Sequence, residues 1–136
     1  MSKLETVRTY WDASARGDYE TAGNCVALPG YVSIDHQRGV VAETMEQLQQ
    51  AAAEDAAWSQ REFDITNVLE TTDGALVVQA TISGNLDGEW CSLRGTGQRV
   101  TFDACVIFRF NDDGKIVLED HYGDALKVAQ QLKSPT

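Results

Sequence analysis

The stretch VTFDACVIFRFNDDGKIVLEDHY spans residues 100–122. Val100, Phe102, Ala104, Val106, Phe108 and Phe110 alternate with a mixed set, Thr101, Asp103, Cys105, Ile107 and Arg109. That two-residue period marks a strand with one face in a core. Asp113 and Gly114 form a hairpin signal, so 115–122 returns antiparallel beside it. Residues opposite each other in such a pair share a face. One register turns Leu118, Asp120 and Tyr122 inward. A slip of one turns Val117, Glu119, His121 and Gly123 inward instead. The pattern leaves both open.

Upstream, 61–71 reads as a strand with a bulge at Asn67, where the alternation Phe63, Ile65 slips to Val68. Asp73–Gly74 is a second hairpin signal. Leu76, Val78, Ala80, Ile82 and Gly84 alternate along the next strand, and 87–97 reads as a glycine-containing loop. Before residue 58 the period is helical. Ser2 and Glu5 have capping-box spacing, and Leu4, Val7, Tyr10, Trp11 and Ala15 form an apolar stripe. Gly17 stands where a helix stop belongs, and Asp18 can cap a second helix over 19–27. Leu28, Pro29 and Gly30 end it, 31–35 reads as a short strand, and 42–57 reads as a third helix with Val41, Met45, Leu48 and Ala52 on its stripe. Asp124 can cap a final helix carrying Leu126, Val128, Ala129 and Leu132. The order α-α-β-α-β-β-β-β-α, with sequential hairpins, excludes a doubly wound parallel sheet. It predicts an α+β cone over 1–136 as one domain, with helices packed in the concave face of a curved, mainly antiparallel sheet.

A chain of 136 residues can bury one core without staples. Its formal charge of −10 disfavours nucleic acid and anionic membrane surfaces as partners. No run approaches the roughly 20 apolar residues of a membrane span, and the polar N-terminus does not read as a signal peptide. Cys25, Cys91 and Cys105 are odd in number and scattered, which predicts reduced thiols and a cytoplasmic setting.

Val7–Ala13 with Arg16-Gly17-Asp18 resembles the opening helix and "GD" turn of the nuclear-transport-factor-2-like fold. Gly95–Val100, the IFRF of 107–110 and the DGKIV of 113–117 are similar to the SnoaL-like polyketide cyclase branch of that superfamily, and 124–132 matches its ending. The resemblance covers nearly the whole chain and implies the cone fold. Fold alone does not imply a reaction. By likeness to ketosteroid isomerase, a relative on this fold, Tyr10 would be an oxyanion donor and Asp35 a base. The second donor would fall on Val106, an apolar residue here. The cyclases' inward histidine would fall on Leu86, and their last-strand acid near His121. The resemblance turns Glu119, His121 and Gly123 toward the cavity.

The resulting candidate site comprises Tyr10, Asp35, His121 and Glu119 as catalytic groups. Trp11, Val78, Ile82, Leu86, Trp90, Phe102, Val106 and Phe108 would bind substrate. Tyrosine can donate to a developing enolate, and a carboxylate in an apolar cone, or a histidine, can carry a proton near neutrality. These features predict a small cofactor-independent cyclase or isomerase acting on a hydrophobic polyketide- or steroid-like molecule. A non-catalytic ligand-binding or dimerisation module on the same fold is the competing reading. A metal site from Asp35, His36, Asp120 and His121 is a third, with few ligands. The mixed outer face of 100–110 suits a sheet-to-sheet homodimer.

Overall fold

The computed structural model describes residues 1–133, apart from the side chain of Glu54. Residues 134–136 of the expected domain lie outside that description. The elements are α1 (Lys3–Arg16), α2 (Tyr19–Cys25), β1 (Val32–Asp35), β2 (Val40–Ala42), α3 (Met45–Glu54), β3 (Trp58–Glu70), β4 (Leu76–Trp90), β5 (Leu93–Phe110), β6 (Ile116–Gly123) and α4 (Ala125–Lys133). One 3₁₀ turn, Asp55–Ala57, joins α3 to β3. The six strands form one sheet in the order β2-β1-β6-β5-β4-β3. Every pair is antiparallel except β1 with β6.

Local chemistry explains the helix ends. Ser2 Oγ accepts from Glu5 N at 3.1 Å, and Gly17, at φ +75°, closes α1 with its N–H on Ala13 and Ser14 carbonyls. Asp18 caps α2 through Thr21 N. α2 stops two residues short of the expected 27, because Val26 is extended and bridges Ile116, while Ala27 N donates to Ile116 O. The expected helix 42–57 is also shorter. Thr44 caps it from Gln47 N, and 40–42 pairs with β1 as a strand the sequence reading lacked. Its two adjacent valines, Val40 and Val41, favour extended backbone.

The largest correction concerns 87–97. Instead of a loop, β4 and β5 run on to a two-residue turn in which Cys91 and Ser92 both have positive φ, 51° and 62°. Such a turn matches strand twist, but Cys–Ser is not its usual sequence. Gly95 sits inside the ladder because a Cβ there would lie 2.2 Å from Leu86 O.

The alternation of β5 holds from Val100 to Phe108, while Phe110 of the expected buried set is only partly buried. Val100, Phe102, Ala104, Val106 and Phe108 are buried, opposite the buried set of β4. Val7, Tyr10 and Ala13 of α1 pack on Val78, Val106 and Phe108. Val128 of α4 packs with Leu86, Val100 and Phe102. The bulge of β3 falls at Thr66, one residue before the expected Asn67. A further bulge at Val117 resolves the register of β6. Phe110 pairs with Ile116, while Phe108, Val106 and Ala104 pair with Glu119, His121 and Gly123. Ile116, not Val117, is therefore the buried residue, yet Glu119 and His121 still turn inward. The extra residue changes parity within the strand.

Candidate functional site

Two rungs cross the sheet beneath the helices. One runs Ser33, Glu119, Phe108, Leu76; the next runs Asp35, His121, Val106, Val78. The β1 and β6 ends of these rungs open into a cavity of about 180 Å³, together with Tyr10, Trp11, Ile82, Trp90 and Phe102. Tyr10, Asp35, Glu119 and His121 thus line one void.

The Tyr10 and Tyr31 hydroxyls lie 2.7 Å apart, and Tyr31 Oη donates to Glu119 Oε2 at 3.4 Å. The two rings meet edge to face at 6.2 Å. Burial raises the Glu119 pKa above the ordinary glutamate value. The charge of His121 and the two tyrosine hydroxyls pull it back only in part. Both tyrosines are pushed well above their ordinary value, first by burial and then by the Glu119 charge. They remain proton donors throughout the physiological range.

Asp35 behaves differently. Arg38 Nε donates to Oδ2 at 2.8 Å and Gln37 N to Oδ1 at 3.0 Å. His121 Nδ1 stands 3.7 Å from Oδ1, too long for a hydrogen bond but close enough for charge attraction. Burial alone would raise this carboxyl's pKa. Its contacts with His121 and Arg38 outweigh burial and hold it below the usual aspartate range. The role of base expected for Asp35 therefore fits poorly at neutral pH, since the carboxylate is already committed to Arg38. Its geometry suits orienting His121. His121 Nδ1 and Gln37 Nε2 are buried without a hydrogen-bond partner among the described residues. Gln37 lies over Gly123, where a Cβ would meet the amide carbon at 2.3 Å.

Of the expected substrate-binding residues, Trp11, Ile82, Trp90 and Phe102 line the cavity. Val78, Leu86, Val106 and Phe108 do not. They are at most 1% exposed and belong to the packed core, because the helices fill that part of the cone. His36 and Asp120 pair on the opposite face, where His36 stacks on Tyr122 at 4.1 Å. The four side chains considered for a metal are thus split between two faces, and no group of three metal-binding side chains converges among the described residues. The three cysteines are free. Among the described residues no helix is long and apolar enough to cross a membrane.

Comparison with known families matches residues 4–132 to the SnoaL-like polyketide cyclases. The chain belongs to that family. A protein from Jannaschia sp. CCS1 assigned as a SnoaL-like polyketide cyclase superposes with a TM-score of 0.80 at 25% identity, covering 98% of this chain and 93% of its own. A protein so assigned from Shewanella denitrificans OS-217 gives 0.81 at 14% identity, with 98% of both chains covered. AclR of Streptomyces galilaeus, assigned as a hydroxylase, gives 0.74 at 18%, covering 98% of this chain and 87% of its own. Comparison with curated proteins finds no match. The two likenesses below 25% identity speak to the SnoaL-like fold alone.

Sequence reasoning missed Arg38 and Arg61, which line this SnoaL-like cavity, and Tyr31, a core residue tied to it through Tyr10 and Glu119. A signal for Tyr31 existed, since Tyr31, Ser33 and Asp35 alternate along one line. Arg38 offered none, because it reaches the site from a turn. Arg61 enters through a bulge that its sequence does not announce.

Proposed function

We propose that this chain is a small acid/base enzyme that needs no cofactor, moves a proton next to a carbonyl in a hydrophobic small molecule, and works as a homodimer. The observation that carries this reading is Glu119. It is a carboxyl of raised pKa in an apolar cavity, hydrogen-bonded to Tyr31 and two residues from the His121–Asp35 pair. Raising a carboxyl's pKa makes its ionised form a stronger base, which suits it to take and return a proton. In the proposed step the substrate Cα–H bond breaks, the proton passes to Glu119, and the electron pair moves to the carbonyl oxygen. Protonated Glu119 no longer needs the Tyr31 proton. Tyr31 then donates to Tyr10, and Tyr10 donates to the enolate oxygen. Chemistry of this kind serves aldol cyclisation and double-bond isomerisation alike.

The cavity limits the substrate. A void of roughly 150 Å³ holds one benzene, so about 180 Å³ takes one ring and a little more. The rest of a larger polyketide- or steroid-like molecule would stay at the rim. The test is deuterium exchange at the α-carbon of 2-tetralone in D₂O, followed by NMR. The protein should accelerate exchange, and Glu119→Gln should reduce the acceleration by about 10²-fold or more. Equal acceleration by the variant would remove Glu119 from the reaction. A ligand-binding module without catalysis is the second reading. Val106 and Leu86, where relatives would carry an acid and a histidine, are 1% and 0% exposed in the core here. Absence of any exchange would favour it.

A further inference from the structure

Where β3 leaves the 3₁₀ turn, Gln60 and Arg61 together occupy the place opposite Gly84, between the pairs Ser59–Asn85 and Glu62–Ser83. Gln60 adopts φ +50°, a left-handed conformation that costs energy for a residue with a side chain. A Cβ at Gly84 would lie 3.0 Å from both Arg61 Cγ and Trp58 Cε3. The bulge and the glycine together lay the Arg61 stem across β4, so that Arg61 lines the cavity. Bulges re-aim side chains in this way. The guanidinium lies 5.7 Å from the Phe63 ring centre, and its side chain is 30% exposed. Its charge partner among the described residues is Asp55 Oδ2, at 3.6 Å. Arg38 holds the other oxygen of that carboxylate at 3.3 Å. Arg61 makes no hydrogen bond among the described residues, although a guanidinium carries five donors in a fork that matches a carboxylate. Asp55 is thus shared between two guanidinium groups, and the Arg61 fork keeps donors to offer a ligand in the cavity.

We infer that Arg61 is the anion-recognising group of this cavity, and that its ligand carries a carboxylate at the end remote from the ring buried near Glu119. The substrate class becomes a cyclic or aromatic carbonyl compound bearing an acid group. This assignment rests on the cavity being the substrate site, but not on catalysis.

The experiment is equilibrium binding of 2-naphthoate and of its neutral isostere 2-naphthamide, followed by calorimetry at low salt. Wild-type protein should bind the carboxylate about tenfold or more tightly than the amide. Arg61→Met, which keeps an apolar stem, should abolish that preference and leave amide affinity within twofold. Arg61→Lys should retain part of it. Amide binding without a preference for the carboxylate, or a preference that survives Arg61→Met, overturns the role of Arg61 while the cavity remains a ligand site. Binding of neither probe overturns both readings together. A melting curve for Arg61→Met that matches wild type certifies the comparison. If that variant unfolds, loss of the preference with rising salt in the wild-type protein decides instead, and an unchanged preference overturns the proposal.

Discussion

At the scale of single residues, two carboxyls on neighbouring strands, in adjacent rungs of the sheet, are driven in opposite directions by their surroundings. Glu119 is raised by burial, so folding favours its neutral form. Its favourable contribution is complete below the unfolded glutamate value of about 4.3 and is lost as pH rises toward the folded pKa. Glu119→Gln should therefore melt higher than wild type at pH 8, by about 3 °C for a relief of about 1 kcal/mol, with the gap closing at pH 4. A lower melting temperature at pH 8 would contradict the account. Asp35 is lowered, so its contribution is present above the unfolded value of about 3.9 and is lost as pH falls. Asp35→Asn should cost about 1–3 kcal/mol at pH 7, because Arg38 loses a charged acceptor. Its deficit should shrink on acidification, and calorimetry across pH 3–8 checks both signs. A deficit independent of pH would contradict the assignment.

At the scale of elements, the β4–β5 hairpin places strict demands on its glycines. Gly95→Ala would drive a methyl into Leu86 O and should lower stability by about 2 kcal/mol or more, whereas Gly23→Ala in α2 meets only Met45 at 3.8 Å and should raise it by about 0.5–1 kcal/mol. Chemical denaturation of the two variants should show opposite signs, and a shared sign would refute this reading. The same hairpin shows where sequence pattern stops being informative. Alternation over 100–110 decided the sheet, because each face meets a different environment along its whole length. Glycines 88, 95 and 97 looked like loop punctuation, yet they are internal to paired strands. β2 escaped notice because three residues cannot display a period. At the site, Tyr10 and His121 were legible from helix stripe and strand parity, the latter only after resemblance chose the register. Val117 changes that parity through a bulge, and Arg61 faces the cavity through another; neither follows from residue spacing.

At the scale of the whole molecule, the helices cover one face of the sheet and leave the other to Cys105, Ile107, Leu118 and Tyr122, with Tyr122 46% exposed. A shallow depression there is lined by Thr66, Gln79, Cys105 and Tyr122. The proposed homodimer would cover this face, and light scattering should return twice the 14.9 kDa chain mass. A mass near a single chain at micromolar concentration would refute it. The covered face of the fold, by contrast, converges on one carboxyl, with β6 supplying it and α1 and the residue just before β1 supplying tyrosines. This convergence raises the Glu119 pKa and so makes its ionised form a stronger base than a free glutamate. Carbon-13 NMR titration of carboxyl-labelled glutamate, with Glu119→Gln assigning the resonance, measures that property directly. The account predicts a Glu119 midpoint clearly above the ordinary value of about 4.3, rising further in Tyr31→Phe as a hydrogen bond to the ionised form is lost. A midpoint at or below that value, unmoved by Tyr31→Phe, would contradict it.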